Sequence, residues 1–389
     1  MNPSAHGWIK KLLKEISEHS VFQSDGTDFY ASLKTAGFIY GSNIAVIDNV
    51  IVNNDLTEEE RSKVNLLLAF YYIHKSEQST DYFVESVIDF YKTIEEYKRS
   101  IFAELFGGKK TDSLLENIIH KRIHVDDNFI TKNFNYFLIN ALLFIDILGY
   151  KMFLKAPDKA KSYVNNFEAA LETIVFKVLN SKQDKTKYDD NLIRLFEMSL
   201  RHKHEMAVSY DDLVTTIKNP LEKLYIIDMV CMASWSDTHI DKEEYEYLSQ
   251  LRTDLDLNTE TLISSIDDIN TFYKTHKSKI AFLSSKNLAQ SFYDNSSKMV
   301  SKLIKRNSKR LLKELSQSKE AMMLLTQSTQ RNLTDAEQKK IQEQLLDIFK
   351  SIPSLAIFML PGGMILLPLF VKFIPKLLPS AFDDNRIQE

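Results

Sequence analysis

The chain has 389 residues, of which 44% are apolar, with 49 basic and 53 acidic side chains and a formal net charge of −4. This length and apolar share allow two or three packed domains, and the near-neutral balance excludes a chain that binds nucleic acid by bulk charge. A single cysteine, Cys231, excludes an intrachain disulfide, and a low count of nine glycines and eight prolines points to a mainly α protein of soluble helical bundles.

Trp8, Ile9, Leu12, Leu13 and Ile16 recur at helical spacing, which predicts an amphipathic helix docked on another domain. The stretch lacks the apolar core of a secretory signal. Residues 28–53 contain two β-rich fragments, and a small β element is expected there. Asp55 or Thr57 then caps a helix, and VNLLLAFYYI and YFVESVIDFYKTIEEYKRSIFAELF follow as a core helix and a longer amphipathic one that ends at Gly107-Gly108. Gly107 to Thr111 is not a phosphate loop, because a helix rather than a buried strand precedes it. His120 and His124 are four apart, but no third ligand accompanies them, so they read as a solvated pair. His202 and His204, two apart, point to different helix faces. Residues 133–145 are uncharged, yet Asn133, Asn135, Asn140 and Asp146 mark this stretch as the central helix of a soluble bundle rather than a membrane span. The solvated run SKQDKTKYDD separates an expected N-terminal helical domain, 1–180, from a second helical domain, 188–290.

Within the second domain, Ala233, Asp237, Ile240, Asp241 and Glu244 lie in a hydrophobic helix, an acidic turn and an amphipathic helix. This pattern resembles the tellurite-resistance TerB-like helical domain, with Thr238 where glycine is usual. Asp237, His239, Asp241 and Glu244 are candidate metal ligands. A capping box of Asp241 with Glu244, flanked by a staple of Ile240 on Tyr245, accounts for the turn without metal. The spacing excludes an EF-hand.

Residues 295–350 form basic amphipathic linker helices. Lys298, Lys302, Lys305, Arg306, Lys309, Arg310 and Lys313 lie along one stretch that also carries Leu303, Ile304, Leu311 and Leu312. Anionic lipid is the expected contact, and RNA is the alternative.

Residues 351–389 complete the chain. No charge appears between Lys350 and Lys372, which is long enough for a membrane-inserted segment at 351–374, a buried core helix being the rival reading. Pro353, Pro361, Pro368, Pro375 and Pro379, with Gly362 and Gly363, make the segment a kinked span or a re-entrant hairpin packed against a partner. Ile352, Pro353, Pro361, Leu366, Leu367, Pro368, Lys372, Phe373, Pro375, Leu378, Pro379, Ser380 and Phe382, with Leu333, Thr334 and Glu337 upstream, resemble the LETM family of inner-membrane proteins and its bacterial relatives. The resemblance implies cation homeostasis by cation/proton exchange, or ribosome association at the membrane. The soluble domain that normally follows the span, and carries the ribosome-binding name, is expected to be missing.

No nucleophile elbow, cysteine pair or diagnostic His–carboxylate spacing occurs, so a non-enzymatic protein without a cofactor is expected. The alternative function is a scaffold or envelope-stress module whose TerB-like part recruits partners. Expected partners are the lipid bilayer, the ribosome or a membrane protein, and a second copy through the kinked segment. The expected location is the cell inner membrane with the bulk of the chain cytoplasmic.

Overall fold

A computed structural model of the chain describes residues 2–16, 19–51, 56–94, 111–123, 141–181, 210–234, 242–276, 288–352 and 366–378, with the single positions 185, 190, 240, 355 and 358. Among these residues every regular element is helical, and no strand occurs. The helices fall into two groups, each packed chiefly within itself.

The first group, the body, comprises α1 (Trp8–Ile16), α2 (Gly26–Thr35), α3 (Glu58–Ser76), α4 (Phe83–Ile94), α5 (Thr111–Ile123), α6 (Leu143–Lys155), α7 (Ala160–Ser181), α8 (Tyr210–Thr216), α9 (Pro220–Ser234), α10 (Lys242–Asp254) and α11 (Thr259–His276). Helix α3 is its axis. Thr57 caps it: the Thr57 hydroxyl accepts from the Glu60 amide at 3.2 Å, and the Glu60 carboxylate accepts from the Thr57 amide at 2.9 Å. From Val64 to Ile73 the helix is buried on all sides, against α4, α5 and α6. Helix α7 packs on α6 and also on α8, α9 and α10, so it joins helices from both sides of the solvated run at 181–190.

The small β element expected at 28–53 does not form among the described residues. Asp25 accepts from the amides of Thr27 and Asp28 at 2.7 and 2.9 Å, which starts α2 instead. The loop after it is pinned by Asn65, fully buried on α3. Its Nδ2 donates to Asn43 Oδ1 and the Ala45 carbonyl, and its Oδ1 accepts from the Ile47 amide. Backbone groups that a ladder would pair are thus satisfied by one side chain.

The uncharged stretch before Asp146 was expected to be a bundle core, and its described part bears this out. In α6, Leu143 to Tyr150 are all buried. Asp146 is 0% exposed and accepts from Arg122 Nε at 2.7 Å, Arg122 Nη2 at 3.2 Å and the Tyr91 hydroxyl at 2.9 Å. The neighbouring carboxylate holds the Arg122 guanidinium pKa above its ordinary value despite burial.

The second group comprises α12 (Leu288–Arg306), α13 (Ser308–Gln317), α14 (Lys319–Gln330), α15 (Asp335–Ser351) and α16 (Leu367–Leu377). Helix α16 lies across α12, α14 and α15. Among the described residues no helix is long and apolar enough to cross a membrane. A single helix across 351–374 is not what forms: α15 ends at Ser351 and α16 begins at Leu367. With 11 residues, α16 is about 16 Å long, roughly half a hydrocarbon core.

Candidate functional site

The C-terminal group is where the sequence concentrates its unusual residues. It is built from a capped helix, a proline-bearing core helix and a basic outer face.

Helix α15 starts at a local device legible in the sequence. The Glu337 carboxylate accepts from the Thr334 amide and hydroxyl at 2.8 and 2.9 Å, and the Thr334 hydroxyl accepts from the Glu337 amide at 3.4 Å. Arg331 adds a fork, Nη1 and Nη2 donating to the two Glu337 oxygens at 2.8 and 2.6 Å. These donors, Arg331 first, hold the Glu337 carboxyl down at about 2.

Pro368 stands in the first turn of α16, where its missing N–H costs nothing. Pro375 lies inside the helix near its end, where it removes one hydrogen bond to the preceding turn. Both are buried, in keeping with their seven-residue spacing on one face. The Phe370 ring meets Phe349 at 4.6 Å and Phe358 at 5.0 Å between centroids, while Val300, Leu303 and Ile304 form the buried side of α12. The described part of the hydrophobic segment is therefore a core helix of this bundle. Lys372 points out of it and donates to the Tyr293 hydroxyl on α12, with its ammonium 5.1 Å from that ring. Pro353, Pro361, Gly362, Gly363 and Pro379 lie outside the described residues.

The basic stretch is not one continuous helix. It breaks at Asn307, whose side-chain amide donates back to the Leu303 carbonyl at 2.8 Å, and α13 starts afresh at Ser308. Lys298, Lys305, Arg306, Lys309, Arg310 and Lys313 are exposed, and Lys302 is half-buried. Among the described residues Lys305, Lys309, Arg310 and Lys313 make no ion pair. The apolar side of the same stretch, Leu303, Ile304, Leu311 and Leu315, is buried inward.

The second candidate region is less fully described. Asp237, His239 and Asp241 lie outside the described residues, and so does the capping box proposed for Asp241. Glu244 is 1% exposed on α10, and Tyr245, the expected staple partner of Ile240, is exposed. Among the described residues no cluster of three metal-ligating side chains occurs. His120 is half-exposed and lies 3.8 Å from Glu59; His124, His202, His204 and the loop at 107–110 lie outside the described residues.

One buried cluster escaped the sequence reading. Asp228 of α9 accepts from the Lys34 ammonium at 3.0 Å and the Tyr30 hydroxyl at 2.8 Å, both from α2, and Lys34 also pairs with Asp268 of α11 at 2.6 Å. Burial pushes the Asp228 carboxyl up, while the two carboxylates raise the Lys34 ammonium. The only signal was a lone aspartate inside the apolar run LYIIDMVCM.

Comparison with known proteins falls on the first of these regions. Residues 333–389 match the family model described as LETM1-like, RBD. The C-terminal segment resembles the LETM1-like domain. The match begins one residue before the cap of α15 and takes in the hydrophobic segment itself, so the domain with that name overlaps this chain rather than lying wholly beyond it. A mitochondrial proton/calcium exchanger protein of Drosophila melanogaster is 42% identical over 55 residues, which are 14% of this chain and 5% of that protein's length. The chain thus matches a small fraction of this curated relative. No solved structure matches.

Proposed function

We propose that this chain is a LETM-like protein that serves cation homeostasis from a membrane surface, held there by its C-terminal group. The observation that carries the reading is the exposed row Lys305, Lys309, Arg310 and Lys313, without ion pairs among the described residues, on the bundle that contains part of the LETM1-like segment. Anionic headgroups attract such residues by about 1 kcal/mol each within a Debye length, and a half-apolar helix pair keeps the charges on one side. The likeness to an exchanger supports a role with cations and protons, carried over from one short segment.

The finer form of the proposal puts residues 351–374 into the bilayer. Helix α16 would exchange its contacts with α12 for lipid tails, which are as apolar as the leucines it leaves. The affinity step is tested by sedimentation with phosphatidylglycerol/phosphatidylcholine vesicles. Binding that weakens with salt, and falls more than a hundredfold when Lys305, Lys309, Arg310 and Lys313 are all changed to Glu, supports the surface role. Equal binding to neutral vesicles overturns it. Carbonate extraction from native membranes tests insertion: protein released into the supernatant excludes it. Cation-driven proton flux in sealed vesicles holding only this protein tests exchange, and flux no greater than in empty vesicles removes that part of the proposal.

A further inference from the structure

Helix α3 ends in a turn that carries a buried histidine. The Ser79 amide donates to the His74 carbonyl at 3.2 Å and the Gln78 amide to the Lys75 carbonyl at 3.0 Å, the paired closure of a Schellman cap. Gln78 takes the left-handed position with φ of +51°, where glycine is usual, so the turn is held under mild strain. The His74 ring is 5% exposed and meets Phe83 of α4 edge-on, 5.3 Å between centroids. Its Nδ1 lies 2.9 Å from the Tyr150 hydroxyl of α6, and that hydroxyl lies 3.0 Å from Ser86 Oγ of α4.

One hydroxyl proton cannot serve both neighbours of Tyr150, so this chain of groups has two arrangements. In the first, Tyr150 donates to Nδ1 of a neutral ring and accepts from Ser86. In the second, Nδ1–H donates to Tyr150, and Tyr150 donates to Ser86. Burial raises the Tyr150 pKa, so the phenol keeps its proton in both. The second arrangement also seats an imidazolium, with every contact kept and only two hydroxyls rotated.

The surroundings weigh the two ring states against each other. Burial pushes the His74 pKa down, the Asp81 backbone raises it, Lys75 lowers it and the Asp81 carboxylate raises it. A place in the last turn of α3 adds the helix dipole, which favours a cation. From α4 come Phe83 and Ser86, both neutral, and from α6 comes Lys151, whose ammonium lies 3.5 Å from Glu77. Beside the ring is a cavity of about 430 Å³, lined by Tyr71, Lys75, Asp81, Tyr82 and Phe83 as well as His74. Lys75, Asp81 and Tyr82 are exposed, which gives water a route to the ring. The Asp81 carboxylate makes no ion pair among the described residues, while its amide donates to Ser79 Oγ at 3.3 Å.

We propose that His74 is a proton-operated latch: protonation, accommodated by the Tyr150–Ser86 chain, draws the Asp81 carboxylate onto the ring and closes the 77–82 turn over the cavity. At higher pH the ring is neutral, Asp81 stays in solvent and the cavity stays open.

The test is a carbon-13 NMR titration of the histidine-labelled full chain from about pH 4.5 to about pH 8, the His74 signal being the one missing in His74→Gln. A reversible midpoint below the ordinary histidine value of about 6.5 is expected, with the far-ultraviolet circular dichroism unchanged across it. Asp81→Asn, at an exposed position, should lower that midpoint by about one pH unit, and Tyr150→Phe should lower it too, because each removes a partner of the charged ring. Tyr82→Trp reports closure: acrylamide quenching, with that of the parent chain subtracted, should fall as pH drops through the same midpoint and should stay level in Asp81→Asn. Protonation of His74 only as the fold is lost overturns the site. A midpoint unchanged in Asp81→Asn, or quenching independent of pH, overturns the latch.

Discussion

Helix α6 encloses its carboxylate, whereas helix α16 turns its lysines outward. Both come from long uncharged stretches that length alone would pass as membrane spans. In α6, Asp146 is fully buried and ties together α4, α5 and α6 through Tyr91 and Arg122. Such a group fixes which helices are neighbours, because any other arrangement leaves a charge unpaired in the core. In α16 the buried side is wholly apolar, and Lys372 reaches Tyr293 at the rim. Apolar contacts specify shape but not chemistry, so no buried charge dictates which helices α16 packs against. The contrast separates a helix fixed by a buried charge from one held by apolar contacts alone.

The largest effect should come from unpairing the charge in the body. Arg122→Met leaves Asp146 in the core without its cation, with only the Tyr91 hydroxyl beside it, and should cost about 3–5 kcal/mol in urea unfolding. The double variant Arg122→Met with Asp146→Leu should recover most of that. If the single change costs under about 1 kcal/mol, the ion pair is not what organises the body. Phe370→Ala removes a buried ring from the aromatic cluster of α16 and should cost about 3 kcal/mol. Hydrogen exchange should show the loss in α14 and α15 while α6 keeps its protection. Loss of protection in both places would mean that the two groups unfold as one.

Thr334→Ala takes away the cap of α15 and should cost about 1 kcal/mol. Far-ultraviolet circular dichroism during thermal melting reads it, and Thr57→Ala on α3 is the matched control in the body. The smallest effect is electrostatic. The Glu337 pKa is about 2 in the fold, below the ordinary carboxylate value of about 4.3, so its contribution is present above the unfolded value and lost as pH falls towards 2. An NMR titration of Glu337 checks this, and Arg331→Ala should move the midpoint upward. A midpoint already near 4.3 in the parent chain would show that the fork does not hold in solution.

Most helices were legible because apolar spacing and caps are local. Thr334 and Glu337 are three residues apart, the spacing of a capping box, and α15 starts there. The prolines of the last segment announced that no straight helix would run through it, and α15 and α16 are indeed separate. Local patterning failed where a distant side chain decides the backbone. IAVI looks like a strand fragment, but the Ala45 carbonyl and the Ile47 amide are taken up by Asn65 instead of a ladder partner. It failed again for the buried Asp228 cluster, since Tyr30 and Lys34 meet Asp228 and Asp268 only after roughly half the chain has folded between them. Periodicity reports which face is buried, not which far residue shares it.

The turn at Gly37, where φ is +82°, also governs how the surface between α2 and α11 would respond to redesign. One wall is backbone-locked: the Ser42 amide returns to the Gly37 carbonyl at 3.0 Å and the Ile44 amide to the Ala36 carbonyl at 3.0 Å. Repositioning Tyr40 would mean rebuilding that whole turn. The facing wall is an ordinary helix surface, where Thr271, Asp267 and Asp268 are exposed and individually replaceable. An engineer reshaping this surface would therefore leave the α2 side untouched and vary charge and bulk along α11, treating the pair as a fixed jaw and an adjustable one.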